Sequence, residues 1–250
     1  MNHRLILISL FFSLLPNYFL SAQDNSVHSG TSGEEWKTSR FVVLMNGGLG
    51  YLAGSTKVAK ANMRNLGVSE SDITQYFRDF KTGAMGSASL YYMWTRELGI
   101  GVDYHVFTTQ GQVSGYLDPG DGWTKYYGIF SDKVYTNFVG LSLLTRENTL
   151  RKWGYYTKIS FGMALYRDEG SLINTPVLIT GQSFAVGGEL GLTYSLSRHV
   201  ALNLGVSYLV ASLGKINSDN GTSVVETRLD KDMRENLSRY NLSGGLVYNF

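Results

Sequence analysis

From residue 39 to the last residue, hydrophobic and polar positions alternate with a period of two, the spacing of strands with one apolar face. The clearest run is Trp153, Tyr155, Thr157, Ile159, Phe161, Met163 and Leu165, opposed by Gly154, Tyr156, Lys158, Ser160, Gly162 and Ala164. The same division recurs over Phe184–Leu196, Val200–Val210 and Tyr240–Phe250. Four further segments fit it: Phe41–Leu52, Ala84–Trp94, Ile100–Thr108 and Tyr135–Thr145. The pattern therefore predicts eight strands. Only one stretch has helical spacing. Ser69-Glu70-Ser71-Asp72 resembles a capping box with Asp in place of Glu, and Ile73, Tyr76, Phe77 and Phe80 follow at i, i+3, i+4 and i+7. That helix either caps a barrel mouth or offers an exposed partner-binding face.

The connections between strands alternate long and short. The long ones cover roughly residues 55–82, 111–131, 167–180 and 214–235; the short ones lie near Arg96-Glu97-Leu98, Arg146-Glu147-Asn148 and Ser197-Arg198. Tight turns at one end and long loops at the other characterise a transmembrane β-barrel. An even strand number returns both ends of the barrel to the periplasmic side. The expected fold class is all-β: an eight-stranded antiparallel up-and-down transmembrane barrel over residues 39–250. An eight-stranded barrel has an interior just wide enough for side chains, so the small and polar face suits the lumen and the bulky face suits lipid. Aromatic residues near strand ends, among them Phe41, Trp94, Tyr135, Trp153, Tyr194 and Tyr240, suit interfacial girdles. The competing arrangement is a soluble barrel with an apolar pocket.

The N-terminus has its own pattern. His3 and Arg4 precede an apolar run of eleven residues, Leu5–Leu15, then Pro16 and the small-residue site Ser21-Ala22-Gln23. Such a run is too short to span a bilayer as a helix and reads as a secretory signal peptide, residues 1–22. Residues 23–38, rich in Ser, Gly, Asn and acids, read as a flexible periplasmic lead-in. Past residue 20 no apolar run is long enough for a transmembrane helix.

Composition narrows the chemistry. There is no cysteine, which excludes disulfides, thiolate metal sites and thiol nucleophiles. A net charge of +2 gives no electrostatic case for nucleic acid. Glycine is frequent, 29 of 250 residues against an ordinary ~7%. The cluster Gly47-Gly48-Leu49-Gly50-Tyr51-Leu52-Ala53-Gly54 misses the G-x-G-x-x-G spacing by one residue, so it reads as strand glycine in a tight barrel. No cofactor and no metal site is expected.

The last strand ends Ser243-Gly244-Gly245-Leu246-Val247-Tyr248-Asn249-Phe250. Gly245, Tyr248 and the terminal Phe250 resemble the C-terminal signal read by the barrel-assembly machinery. With the strand pattern, the chain resembles the small, porin-like outer-membrane β-barrel proteins of Gram-negative bacteria, the group containing the OmpA transmembrane domain, OmpX and OmpW. The resemblance implies residence in the cell outer membrane, contact with outer-membrane lipid and insertion by that machinery. Roles within the group range from scaffold and adhesin to narrow channel.

Four charged or titratable residues face the expected lumen: Asp103, His105, Lys158 and Glu189. Charge in a narrow, poorly solvated interior requires pairing. Strands running from the turn near Arg151 to the turn near Leu196 keep a constant sum of partner numbers, which sets Lys158 opposite Glu189. Losing either charge alone is expected to destabilise the barrel, and losing both to restore much of the loss. A membrane-embedded hydrolase needs a nucleophile, a base and an orienting group. His28, His105 and His199 stand beside no such set. The sequence therefore reads as a non-enzymatic surface, scaffold or recognition barrel acting through its extracellular loops. The alternatives are a small channel for ions or a hydrophobic ligand and, third, a lipid-modifying enzyme.

Overall fold

A computed structural model describes residues 40–250 apart from 66, 118–125, 149–151, 173–174, 220 and 231–233. The expected signal peptide and lead-in lie outside the described residues. Among the described residues there are eleven strands: β1 (Phe41–Leu52), β2 (Thr82–Met93), β3 (Leu98–Leu117), β4 (Tyr126–Asn148), β5 (Trp153–Leu172), β6 (Thr175–Ser195), β7 (Val200–Leu213), β8 (Lys215–Asp219), β9 (Val224–Arg228), β10 (Glu235–Asn236) and β11 (Arg239–Asn249). Strands β1 to β7 pair each with the next, and β11 closes the ring between β7 and β1. Every pairing is antiparallel, so the barrel is closed and eight-stranded.

Closure brings strands together where side chains are smallest. A Cβ placed on Gly245 would collide with the Met45 carbonyl oxygen and with Asn46 Oδ1. Only glycine lets β11 lie against β1 at this height.

The alternation sorts the faces as expected. On β7 the burial switches at every residue from Ala201 to Leu213. Outward Leu141, Leu190 and Leu204 are 63%, 55% and 57% exposed, within a continuous apolar belt. A belt of this extent would be an aggregation surface in water, and it is the exterior a bilayer requires. No described helix is long and apolar enough to cross a membrane; the strands cross instead.

Two expectations need correction. Within the stretches 111–131 and 167–180 the described residues are strand: β3 to β6 continue into them as paired strands well beyond the belt. Outside the bilayer neither face has to be apolar, so runs such as Ser131-Asp132-Lys133 and Arg167-Asp168-Glu169 pair without the alternating signal. The stretch 214–235 likewise contains the β8–β9 hairpin, with β8 continuing the sheet beyond β6. In addition, two helices occupy the first long connection, α1 (Lys57–Asn65) and α2 (Glu70–Lys81), where one was expected.

Candidate functional site

The inward parity of each strand sets the lumen contents. On β5 it selects Tyr156, Lys158 and Ser160; on β3 Asp103, His105 and Phe107; on β6 Glu189; on β11 Arg239 and Asn241. Three layers result. At the turn end, Val42, Leu44, Tyr91, Met93, Leu144, Tyr156, Ala201 and Val247 form an apolar plug. At the loop end a second apolar cluster includes Val134, Phe138, Tyr166, Leu209 and Leu213. The ionic layer lies between them.

All four expected lumenal residues meet in that layer. Lys158 and Glu189 are register partners, with Nζ 2.8 Å from Oε2. Lys158 also reaches across the lumen to Asp103 Oδ1, at 3.2 Å. The Asp103 carboxylate accepts from Ser89 and Ser160, each at 2.6 Å, and lies 2.9 Å from His105 Nε2. Because the carboxylate can only accept, it selects the Nε2–H tautomer of His105. The His105 ring stands edge-on to Phe138, centroids 5.6 Å apart. Glu189 Oε1 accepts from Tyr156 at 2.6 Å and from Asn46 at 3.3 Å. Each of these two carboxylates is paired with Lys158 and accepts from several donors, which offsets the cost of burying its charge.

Sequence reasoning missed four members, Ser89, Tyr156, Ser160 and Asn46, although all have inward parity; neutral polar residues alternating with glycine carried too little contrast to single them out. It also missed Arg239. This side chain is fully buried, with its guanidinium over the Phe107 ring, 5.0 Å from the centroid. Its Nε and both terminal guanidinium nitrogens have no hydrogen-bond partner among the described residues, so the ring face is what the cation meets.

Within this cluster Ser160 donates to the Asp103 carboxylate and not to His105, so it does not form the Ser–His contact of a catalytic triad. His199 sits in a turn-end hairpin and His28 outside the described residues. No group of three His, Cys, Asp or Glu suited to a metal is found among the described residues. The space left beside His105, Lys158 and Glu189 is about 10 Å³, room for at most one water.

Above the loop-end cluster, α2 closes the mouth. Ser69 caps it, accepting from the Asp72 backbone N–H at 3.2 Å. Ile73, Tyr76 and Phe77 are buried with Val113 and Phe130, and Phe80 packs beside them. This face is therefore occupied by the barrel and is not an exposed partner-binding surface. The Tyr76 hydroxyl donates to Asp132, and Tyr166 donates to Asp168 at 3.1 Å. Here, beyond the belt, burial and then the charge of Asp132 push Asp168 up to about 7.

At the other end, Tyr248 and Phe250 point outward with rings edge-on, centroids 4.8 Å apart, and the Phe250 N–H donates to the Phe41 carbonyl at 3.1 Å. Gly245 faces inward at the seam with β1.

A closed barrel with an apolar belt and a packed polar lumen defines the class: a transmembrane β-barrel protein of the outer-membrane type. No family model matches the chain, and no curated protein matches its sequence. Solved structures do. A major outer membrane protein from Thermus thermophilus is 12% identical with a TM-score of 0.51, covering 84% of this chain and 99% of that one. The outer membrane protein OprG from Pseudomonas aeruginosa is 14% identical with a TM-score of 0.50, covering 86% and 98%. Neisserial surface protein A is 18% identical with a TM-score of 0.47, covering 85% and 98%. The fold is that of the small outer-membrane β-barrels.

Proposed function

We propose that this chain is a non-enzymatic, non-conducting barrel of the cell outer membrane that presents its extramembrane sheet as a recognition surface. The observation that carries the reading is the sealed lumen. An ion path would have to pass two apolar plugs and an ionic layer whose residual space holds one water. A channel keeps its lining solvated, whereas here the Lys158, Asp103 and Glu189 side chains are at most 2% exposed. What remains accessible is the upper sheet of β3 to β6 with the β8–β9 hairpin, where all five residues of β9 are exposed.

On this reading the N-terminal segment directs export, and Gly245, Tyr248 and Phe250 are read by the barrel-assembly machinery. The purified barrel in planar lipid bilayers should give no conductance steps. On intact cells, Val224→Cys should react with a membrane-impermeant maleimide while Trp94→Cys at the turn end should not. Stable channel openings, or labelling at the turn end, would overturn the reading.

A further inference from the structure

The sheet changes partners at one height. Strand β6 pairs with β7 over Ala185–Ser195 and with β8 over Leu178–Gly181, and Ser183 bridges the change by donating to the Ser212 carbonyl at 2.8 Å. The change leaves a concavity of about 430 Å³, lined among others by Leu165, Thr180, Gln182, Lys215 and Asn217. That volume lies within the usual range of small-ligand sites. The parity of these five residues puts them on the outward face. The register sets Leu165 opposite Gln182 and Thr180 between Arg167 and Asn217.

The height of the concavity is informative. Leu165 and Phe184, 44% and 62% exposed, are the last apolar belt residues on β5 and β6. One step further out, the outward residues are Arg167 on β5 and Gln182 on β6. The girdle tyrosine Tyr135 is the register partner of Arg167, and Lys133 lies over its ring at 5.1 Å from the centroid. The site therefore has an apolar floor at the lipid boundary and a polar wall at head-group height. A cation stands on either side of it. Arg167 pairs with Glu169 at 2.8 Å, and Lys215 pairs with Glu226, but all four side chains are about half exposed. Exposed pairs of this kind contribute little, so exchanging a carboxylate for a phosphate costs little.

We propose that this concavity seats the anionic, phosphomonoester-bearing head group of an outer-leaflet lipid. Arg167 and Lys215 hold the phosphate. Thr180, Gln182 and Asn217 hydrogen-bond its polar substituents, and the acyl chains descend along Leu165 and Phe184. The proposal rests on the membrane-embedded reading of the belt, and it goes beyond recognition by the upper sheet.

Native mass spectrometry tests it. The folded barrel is taken from vesicles of phosphatidylcholine containing a minor fraction of phosphatidic acid. Wild type should retain one phosphatidic acid with about tenfold preference over phosphatidylcholine, or ~1.4 kcal/mol. The double variant Arg167→Gln/Lys215→Gln should lose that preference, and Thr180→Trp, which fills the concavity without altering charge, should lose the bound lipid. Lys57→Gln on α1 serves as the control that changes neither. A folded, inserted wild-type barrel that retains both lipids equally would overturn the seat while leaving the membrane reading intact. So would variants that retain lipid as wild type does. Displacement of the lipid by inorganic phosphate at equal concentration would identify a free-anion site and also overturn it.

Discussion

Replacing Lys158 by Met removes the ammonium that two buried carboxylates share. Breaking a buried ion pair from one side costs about 3–5 kcal/mol. The upper end is expected here, because Asp103 and Glu189 both lose a cation, at 3.2 and 2.8 Å. Glu189→Gln is milder. Lys158 keeps Asp103, and the new side-chain amide can still accept from Tyr156, so about 1–3 kcal/mol is expected. The sequence alone suggested that losing both charges restores much of the loss. The second contact limits that recovery: Lys158→Met/Glu189→Gln leaves Asp103 without its ammonium, so the double variant should recover only part of the loss. Adding Asp103→Asn removes the last buried anion of the group and should bring stability near wild type, since a fully neutralised network is often close to neutral in cost. Urea unfolding in detergent micelles, followed by tryptophan fluorescence, reads each step as a change in midpoint at constant slope. Strictly additive losses across the three positions would refute the shared-ammonium account, as would a Glu189→Gln loss equal to that of Lys158→Met.

Deleting Phe250 should lower the amount of inserted barrel in the membrane fraction while export continues, since the exposed ring and the strand-end hydrogen bond to Phe41 are both lost. Ile73→Ala empties a fully buried position in the cap and should loosen α2 by about 2–5 kcal/mol, seen as faster hydrogen exchange in α2 with β5 and β7 unchanged. Asp168 is raised to about 7 in the fold, so the fold favours its neutral form. Its contribution to stability is full below the ordinary carboxylate range and is lost as pH rises through about 7. Asp168→Asn should flatten that pH dependence and raise the midpoint at pH above it, measured by urea titrations at several pH values.

What could be read from the sequence followed from the bilayer. Inside the membrane one face must be apolar, so the alternation along Trp153–Leu165 and Val200–Val210 is strong, and it carried strand number, facing and the Lys158–Glu189 register. Above the belt that constraint ends. The strand extension Thr109–Leu117 buries Val113 under α2 but has few other apolar residues, and β9 of the β8–β9 hairpin is exposed throughout, so neither stands out as an apolar alternation in the sequence. The Asp103–Lys158 contact was hidden for another reason: it crosses the lumen between non-adjacent strands, and register arithmetic relates only neighbours. Arg239 was visible as an inward residue, yet its place over Phe107 depends on how the barrel closes. α2 was legible because its cap, first-turn acids and apolar spacing are local, whereas α1 is nine residues long with no acid in its first turn and only Val58 and Met63 as large apolar residues.

The central claim is the facing of the wall, bulky residues to lipid and the packed polar lumen within. The chain contains no cysteine, so single cysteines can be introduced along β7 without background. Spin labels at Leu202, Leu204 and Val206 should be accessible to oxygen dissolved in the bilayer and shielded from a water-soluble nickel complex. Labels at Asn203, Gly205 and Ser207 should be shielded from both, with mobility restricted by the lumen packing. A period of two in oxygen accessibility along these six positions is the predicted result. Access of the nickel complex to Leu202, Leu204 and Val206, or uniform accessibility without alternation, would contradict the account.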